Sequence, residues 1–179
     1  MKALKIKLYQ NLCNYKKEGS FGYVQTYPLP TPSMVRGLVH NILEANEYIP
    51  LKISIQGKSD AVITNMQRVY KFDRDPVNRP DNPYLVKLRN SMKTATHGIL
   101  FVDLHVNIRL ILHICFKDDN EEKCKKLYKK SQEIVPVLGR NEDIALIEDI
   151  RIVDVNKFFG RKSQSKFPMF VSKEALIEN

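Results

Sequence analysis

A long run of alternating apolar residues constrains the fold of this 179-residue chain more than any other feature. Aliphatic side chains stand at every second position across residues 99–116, at Leu100, Val102, Leu104, Val106, Ile108, Leu110 and Leu112. A period of two is typical of a β-strand with one buried face. The run is much longer than the usual strand of about 5–6 residues. We therefore expect its first half to pair within a projecting arm and its second half to pair in the core sheet.

The other periodic segments predict how that core is completed. Near the N-terminus Leu4, Ile6 and Leu8 alternate with polar residues, as in a strand with one buried face. The further elements expected in chain order are a polar loop at 11–20, a short strand at 21–27, a helix at 32–45, a strand at 51–57, a helix at 118–132, a loop at 136–140 and a last strand at 150–155. This order predicts an α+β fold with a ferredoxin-like or RRM βαββαβ core, in which two helices cover one face of an antiparallel sheet. On this interpretation residues 1–57 and 99–155 form the core.

The segment between the second and third core strands, residues 58–98, differs in composition. Pro76, Pro80 and Pro83 crowd into one stretch of it, which indicates a loop. Eight basic residues stand against four acidic ones, and large apolar side chains are few. Such a segment does not bury enough apolar surface for a core of its own, so we expect an insertion that projects from the domain.

The C-terminal segment, residues 156–179, combines basic and aromatic side chains. As far as Lys173 it contains no acid, and four phenylalanines interleave with the cations, at Phe158, Phe159, Phe167 and Phe170. This combination is typical of single-stranded RNA binding, in which cations pair with phosphates and rings stack on bases. The alternative is a basic tail whose phenylalanines pack back onto the core, and composition does not separate the two.

The charge of the chain points to an anionic partner. Lys and Arg number 29 against 20 Asp and Glu, which gives a net charge of +9 and a pI near 9.4. A balance of this kind favours nucleic acid as the partner, and a merely basic protein is the simpler alternative.

No sequence feature indicates a cofactor, a metal ion or a membrane. Cys13, Cys115 and Cys124 are odd in number and lack metal-type spacing, which fits a reducing cytoplasm. The four histidines are scattered, and His105 and His113 in the long strand are expected to be satisfied sheet residues instead of ligands. The charged N-terminus lacks the apolar stretch of a signal peptide, and no apolar run approaches a membrane span.

One stretch combines a stiff extended lead-in with the start of a helix. Three prolines restrict its backbone, and Pro32 suits the first helical position behind the capping residue Thr31. Apolar residues then fall on one helical stripe, at Val35, Leu38, Val39, Ile42 and Leu43. Ser33 and Arg36 lie on a different face near the helix N-terminus, where free N–H groups and a partial positive charge suit a phosphate. The simpler alternative is an ordinary amphipathic helix with a rigid lead-in.

Two motifs in the sequence resemble a known family. The Tyr-Pro-Leu-Pro-Thr-Pro-Ser-x-x-Arg-Gly-Leu stretch that begins at Tyr27 is similar to the N-terminal signature of the CRISPR-associated "Cas five" family of the RAMP superfamily. The Leu-Gly-Arg sequence that begins at Leu138 is similar to the loop before that family's last core strand. The resemblance points to a subunit of a type I Cascade complex, of an I-B-like subtype. It implies a thumb between the second and third core strands, which is where residues 58–98 lie.

The resemblance also implies a binding subunit and not an enzyme. Such a subunit recognises the five-prime handle of the CRISPR RNA, caps that end of the complex, and contacts the backbone subunits and the large subunit. Target DNA is reached only through the complex, and no membrane is involved. The expected RNA-binding residues are Arg36, Ser33, Tyr27, Lys16, Lys17 and Arg140, and the thumb candidates for RNA or a partner subunit are Arg68, Lys71, Arg89 and Lys93.

Two alternatives stay open at this point. A related branch of the family cleaves the CRISPR repeat without metal, through residues such as His, Tyr and Lys, and all three types occur in this chain. None of that branch's catalytic positions matches a particular residue here. The second alternative is a basic scaffold that contacts only proteins.

Overall fold

The computed structural model of the protein describes residues 2–74, 84–88, 91–117, 121–155 and 164–171. Its elements in chain order are β1 (Lys2–Cys13), β2 (Tyr23–Val24), α1 (Pro32–Leu43), β3 (Leu51–Lys58), β4 (Ala61–Arg74), β5 (Tyr84–Leu88), β6 (Ser91–Phe116), α2 (Glu121–Lys130) and β7 (Leu146–Asp154). Helices and strands pack together in one chain, so the predicted α+β class is confirmed.

Strand β1 lies in the middle of the core sheet. It pairs antiparallel with β6 on one side and with β7 on the other, and β3 pairs antiparallel with the far side of β6. The strand order is therefore β3-β6-β1-β7, and Leu4 of β1 lies opposite both Ile114 and Ile152. Alternate side chains of β1 and β6 are buried together with the stripe of α1 and with Leu127 of α2. Both helices thus contribute to the same hydrophobic core.

Helix α1 begins as its sequence predicts. Thr31 Oγ1 accepts a hydrogen bond of 3.3 Å from the N–H of Met34, and Pro32 occupies the first helical position. The whole predicted stripe is buried, at Val35, Leu38, Val39, Ile42 and Leu43. The helix ends earlier than predicted, because Glu44 takes a left-handed conformation with φ of 53°.

Strand β6 is continuous and serves both the core and a projecting arm. Its C-terminal part pairs with β1 and β3, whereas its N-terminal part pairs with β4 and β5, as the long alternating run predicts. The pairing with β4 continues to Val106, so the hairpin of the arm reaches beyond residue 98, the expected end of the insertion. The predicted loop with Pro76, Pro80 and Pro83 lies outside the described residues, and the domain limits stay a prediction.

The polar loop that we expected after the first strand begins later than predicted. β1 continues to Cys13, and Cys13, Asn14 and Tyr15 are all buried. Polar groups tolerate burial when hydrogen bonds satisfy them. Asn14 Nδ2 donates to the Asp103 carbonyl at 2.7 Å, and the Tyr15 hydroxyl donates to Gln10 Oε1 at 2.7 Å. The polarity of this segment therefore reflects hydrogen bonds inside the protein and not exposure to water.

The last core strand also begins earlier than predicted. β7 starts at Leu146 and pairs with β1 across an irregularity between Lys7 and Leu8. A bulge shifts the alternation of buried and exposed side chains, so periodicity located only the second half of the strand.

Helix α2 lies within its predicted range, with glutamates in its first turn and lysines in its last.

Part of the C-terminal segment extends the sheet at the outer edge of β3. The N–H of Gly57 donates to the Pro168 carbonyl at 3.1 Å, and the N–H of Phe170 donates to the Ile55 carbonyl at 3.3 Å. Backbone pairing of this kind covers an otherwise open strand edge. Phe158 and Phe159 lie outside the described residues. RNA binding by this segment therefore stays a prediction.

Candidate nucleic-acid interface

The two sequence motifs, which lie far apart in the chain, face each other across one cleft. The cleft has a volume of about 530 Å³ and lies between α1 and the loop 135–141. We call it the motif cleft, and its lining residues are Met34, Gly37, Leu38, Asn41, Val135, Val137, Leu138, Gly139 and Asn141. The convergence gives the two motifs a common location that neither sequence stretch shows by itself.

A buried carboxylate holds the loop side of the motif cleft in place. Asp143 is only 1% exposed, and its Oδ2 accepts hydrogen bonds from the N–H of Asn14 at 2.9 Å and the N–H of Arg140 at 2.8 Å. The Arg140 guanidinium donates to Oδ1 of the same carboxylate at 2.7 Å. Charge-assisted bonds of this kind are stronger than those between neutral groups, so they fix the loop firmly against the end of β1.

Two further polar side chains tie the loop to β1. Gln10 Nε2 donates to the Leu138 carbonyl at 2.8 Å and to the Asp143 carbonyl at 3.0 Å. The Tyr15 hydroxyl in turn orients Gln10 by donating to its Oε1 at 2.7 Å. Gly139 has φ of 115°, and a Cβ there would lie 2.7 Å from the Asn14 carbonyl oxygen and 2.7 Å from an Asp143 oxygen. The loop shape therefore requires glycine at this position.

Arg140, a predicted RNA-binding residue, uses its guanidinium largely inside the protein. Besides Asp143, it contacts Glu142 at 3.1 Å and Gln67 Oε1 of the arm at 3.4 Å. Burial lowers the pKa of the guanidinium, but the hydrogen bonds and charge of Asp143 outweigh burial, and the pKa is raised. Asp143 was not among the predicted residues, because its role depends on partners far away in the chain.

The predicted residues Lys16, Lys17 and Tyr27 lie together beside this loop. Lys17 Nζ lies 5.9 Å from the centre of the Tyr27 ring, and the N–H of Tyr27 donates to the Tyr15 carbonyl at 2.7 Å. Lys16 is exposed and forms a backbone bridge with Thr26. Because Asp143 binds Asn14, two residues before Lys16, both lysines are held close to the loop. The exposed Lys16 and the half-buried Lys17, with Lys17 beside an aromatic ring, suit a nucleic-acid backbone.

Arg36 lies on the opposite flank of α1 from the motif cleft. Its guanidinium carbon is 5.4 Å from the centre of the Tyr48 ring, and its buried Nε has no hydrogen-bond partner among the described residues. His40, one turn later, accepts the N–H of Ile49 at Nε2 and therefore donates from Nδ1 to the Arg36 carbonyl, each at 2.9 Å. Ser33 is exposed at the N-terminus of the helix. The structure thus separates Arg36 from the cleft and brings Gly37 and its neighbours into it.

The arm carries only one thumb candidate whose side chain is described. Arg68 is exposed on β4, only the backbone is described for Lys71 and Lys93, and Arg89 lies outside the described residues. Large apolar side chains are exposed along the same part of the arm, at Val62, Met66, Tyr70, Ile99 and Phe101. A surface of this composition is typical of an interface with another protein.

The titratable groups that are buried near the loop have structural roles. Burial raises the pKa of the Cys13 thiol to about 12 and also raises the pKa of Tyr15. His105 is buried, with Nδ1 3.0 Å from Ser59 Oγ and Nε2 2.8 Å from the Tyr27 carbonyl, which confirms a satisfied sheet residue. Across the described part of the chain, no cluster of His, Cys, Asp and Glu suits a metal ion, and no helix has the length and apolar character to cross a membrane.

The fold and the motif cleft define a basic α+β protein with an antiparallel core sheet and a projecting hairpin arm. Residues 3–166 match a family described as CRISPR-associated protein (Cas_Cas5). The chain therefore belongs to this family of CRISPR-associated proteins, and the resemblance seen in the two motifs is confirmed. The I-B-like subtype stays a prediction. No curated protein matches the sequence.

One solved structure supports the fold. A chain of a structure titled "CRISPR RNA-guided surveillance complex" is 12% identical, with a TM-score of 0.52, over 79% of this chain and 59% of the other. A chain of "Cryo-EM structure of the Type III-B Cmr-beta bound to cognate target RNA and AMPPnP, state 1" is 13% identical, with a TM-score of 0.41, over 88% of this chain and 64% of the other. The protein thus spans less than two thirds of the length of either matched chain.

Proposed function

We propose that this chain is the RNA-binding subunit of a type I CRISPR Cascade complex, where it holds and caps the five-prime handle of the CRISPR RNA. The observation that carries the proposal is the convergence of both family motifs on the motif cleft, beside Lys16 and Lys17. A net charge of +9 supports an anionic partner. Membership of the Cas5 family supports an RNA of the CRISPR system as that partner.

The finer architecture belongs to the same proposal. The order β3-β6-β1-β7, with every neighbouring pair antiparallel, supports a ferredoxin-like core. The hairpin of β4 with β6 then corresponds to the thumb. Its exposed apolar residues support contact with the neighbouring backbone subunit, and we extend the proposal to the large subunit. Target DNA is engaged only through the complex, which we place in the cytoplasm.

The proposed mechanism is recognition by charge and stacking. Lys16 and Lys17 pair with phosphates, and the ring of Tyr27 offers a stacking surface. The N-terminus of α1 supplies free N–H groups next to the Ser33 hydroxyl. Arg36 adds a positive charge near the start of the helix, and its guanidinium forms no ion pair with the described residues.

We propose binding instead of cleavage because two histidines are already engaged. Metal-independent RNA cleavage needs a base near a 2′-hydroxyl, and His is the usual candidate at neutral pH. Both ring nitrogens of His40 and of His105 have partners within the protein. Using either residue as a base first requires breaking these contacts.

The direct test is incubation of the purified protein with RNA from the host's CRISPR repeat in EDTA. Anisotropy of a labelled handle measures affinity against a permuted RNA of the same composition, and a denaturing gel measures cleavage. We expect preferential binding of the handle with the RNA intact. Cleavage in EDTA would instead establish the endoribonuclease alternative. If the protein binds both RNAs equally, or binds neither, the remaining interpretation is the basic scaffold that contacts only proteins.

The arm is tested separately, by assembly with the backbone subunit. Arg68 lies directly opposite Ile99, so residues 69–98 can be replaced by Asn-Gly, which closes a two-residue hairpin turn between these positions. We expect the shortened protein to bind RNA and to fail in assembly. A soluble variant that still assembles would overturn the thumb assignment. Substituting Arg68 with Ala in the full-length arm tests this thumb candidate without shortening the arm.

A further inference from the structure

We propose that the motif cleft receives one unpaired nucleobase of the bound RNA, whose polar edge is read by the amides of Asn41 and Asn141. The inference rests on the proposed RNA binding and adds a subsite to it. Asn41 lies on α1 and Asn141 on the opposite loop, so the two amides approach the cleft from its two sides. Neither residue is among the predicted RNA-binding residues.

The charge of the lining points to a base and not to a phosphate. All nine lining residues are uncharged, whereas Lys16 and Lys17 stand outside the cleft. Apolar side chains supply walls for a flat ring, from Met34, Leu38, Val135 and Val137. An asparagine amide offers both donors and an acceptor, which is the combination that base edges require. Unstacked bases of single-stranded RNA are commonly bound by such mixed surfaces.

Gly37 provides an independent observation. It lies inside α1, where glycine disfavours the helix relative to other residues. The fold gives no reason for it, because its φ is not left-handed and a Cβ would meet nothing within 4 Å. Gly139, in contrast, is required by both its φ of 115° and its close neighbours. The absence of a side chain at Gly37 leaves space along the side of the cleft that α1 forms, and a ligand lying there accounts for it.

The loop 135–141, which forms the other wall of the motif cleft, is preorganised. The hydrogen bonds of Asp143 and Gln10 fix the loop before any ligand binds, so little ordering is needed when a base enters. Asn141 is carried on this fixed loop, and Asn41 on a helix. Two amides carried on fixed backbones favour one base over others, so the cleft contributes specificity where the lysines contribute affinity.

The experiment uses the full chain and a series of handle RNAs, each with one abasic position. We expect a single position at which the abasic change weakens binding about tenfold or more. The variant Gly37→Leu places a side chain into the cleft and should abolish that position-specific loss while raising or preserving the melting temperature. The matched control is Gly98→Leu on the arm, where a Cβ likewise meets nothing within 4 Å. It should retain the abasic loss.

The outcomes separate the subsite from the proposed function. If the wild-type protein binds the handle but no abasic position matters, the subsite is wrong and RNA binding stands. If Gly37→Leu keeps the position-specific loss, the base does not enter the motif cleft. If the wild-type protein binds no RNA, the proposed function fails together with the subsite. Asn141→Ala should reduce discrimination between bases at the sensitive position and leave the salt dependence of binding unchanged.

Discussion

The carboxylate of Asp143 accepts a hydrogen bond of 2.9 Å from the backbone N–H of Asn14, 129 positions earlier in the chain. This contact joins the end of the central strand β1 to the loop that carries the second family motif. It also positions Lys16 next to that loop. The geometry of the proposed RNA surface therefore depends on a residue that is not expected to touch RNA.

Replacing Asp143 with Asn should destabilise the protein more than any surface charge change. The amide cannot reproduce the charged contacts with Arg140, and the N–H of Asn14 loses an ionised acceptor. Because Arg140 is partly exposed, we expect a loss of about 2–3 kcal/mol, below the cost of breaking a fully buried ion pair. Urea denaturation measures the change in the free energy of unfolding.

The matched control removes the other carboxylate that contacts the same arginine. Glu142 approaches Arg140 at 3.1 Å, but its side chain is 62% exposed. Exposed ion pairs contribute about 0–1 kcal/mol, so Glu142→Gln should cost much less than the change at Asp143. Similar losses for both variants would show that burial of Asp143 does not matter.

Two glycine-to-alanine substitutions should shift stability in opposite directions. Gly139→Ala creates contacts of 2.7 Å at a φ of 115°, and we expect a loss of about 1–3 kcal/mol. Gly37→Ala enters open space inside a helix, and we expect a gain of about 0.5–1 kcal/mol. Thermal unfolding of both variants measures these changes in stability. A loss of stability in Gly37→Ala would contradict the conclusion that the fold gives no reason for glycine at position 37.

The buried thiol of Cys13 should make stability fall at alkaline pH. Its pKa is raised by burial from 9.0 to about 12, so above pH 9 the unfolded chain releases a proton that the folded chain retains. Stability is full below pH 9 and declines as the pH rises towards 12, by up to about 1.4 kcal/mol per pH unit from this group. Urea titrations at several pH values measure the slope.

The comparison with Cys13→Ala isolates this contribution from that of the lysines. The difference in stability between the two proteins should be constant from pH 7 to pH 8, where the thiol is protonated in both states. Between pH 9 and 11 the variant should lose stability less steeply than the wild type. Parallel curves throughout would mean that Cys13 titrates normally in the folded state.

Arg36→Ala should weaken handle binding with little change in melting temperature. The guanidinium forms no ion pair with the described residues, so its removal leaves no buried acid behind. We expect a loss of about 1.5–3 kcal/mol in binding if a charged hydrogen bond to phosphate disappears. The handle affinity of Arg36→Lys should lie between those of the wild type and Arg36→Ala, because a lysine ammonium cannot bind a phosphate at two points as a guanidinium does.

Arg109 offers a matched control for Arg36. Its guanidinium carbon lies 5.5 Å from the centre of the Tyr9 ring, much as that of Arg36 lies over Tyr48, but on the core strand β6. Arg109→Ala should leave handle affinity unchanged. If both variants lose affinity equally, the effect reflects total charge and not the helix start.

Binding should weaken steeply with salt. Each neutralised phosphate of a single strand contributes a slope of about −0.7 in log K against log salt concentration. If Lys16 and Lys17 each contact a phosphate, Ala at either position should reduce the slope by about that amount. Titrations between low and physiological salt measure it, and a flat response in the wild type would exclude a phosphate-binding surface.

Local signals predicted the elements better than they predicted the site. The cap at Thr31 and the proline after it located the start of α1, because both act within one helical turn. The role of Asp143 escaped prediction, because its partners Gln10 and Asn14 come from the other end of the chain. Helical periodicity correctly placed Arg36 away from the core stripe. It did not show that Arg36 and Gly37 lie on different flanks, since that distinction depends on where the loop 135–141 docks.

The central position of β1 has a consequence during protein synthesis. Leu4 of β1 lies opposite Ile114 of β6 and Ile152 of β7, so β1 has no sheet partner until β6 and then β7 leave the ribosome. The nascent chain therefore exposes an apolar strand until β6 has been made, a state in which chains are prone to aggregate. Yield in a heterologous host should accordingly depend on chaperone supply and growth temperature more than on the stability of the finished protein.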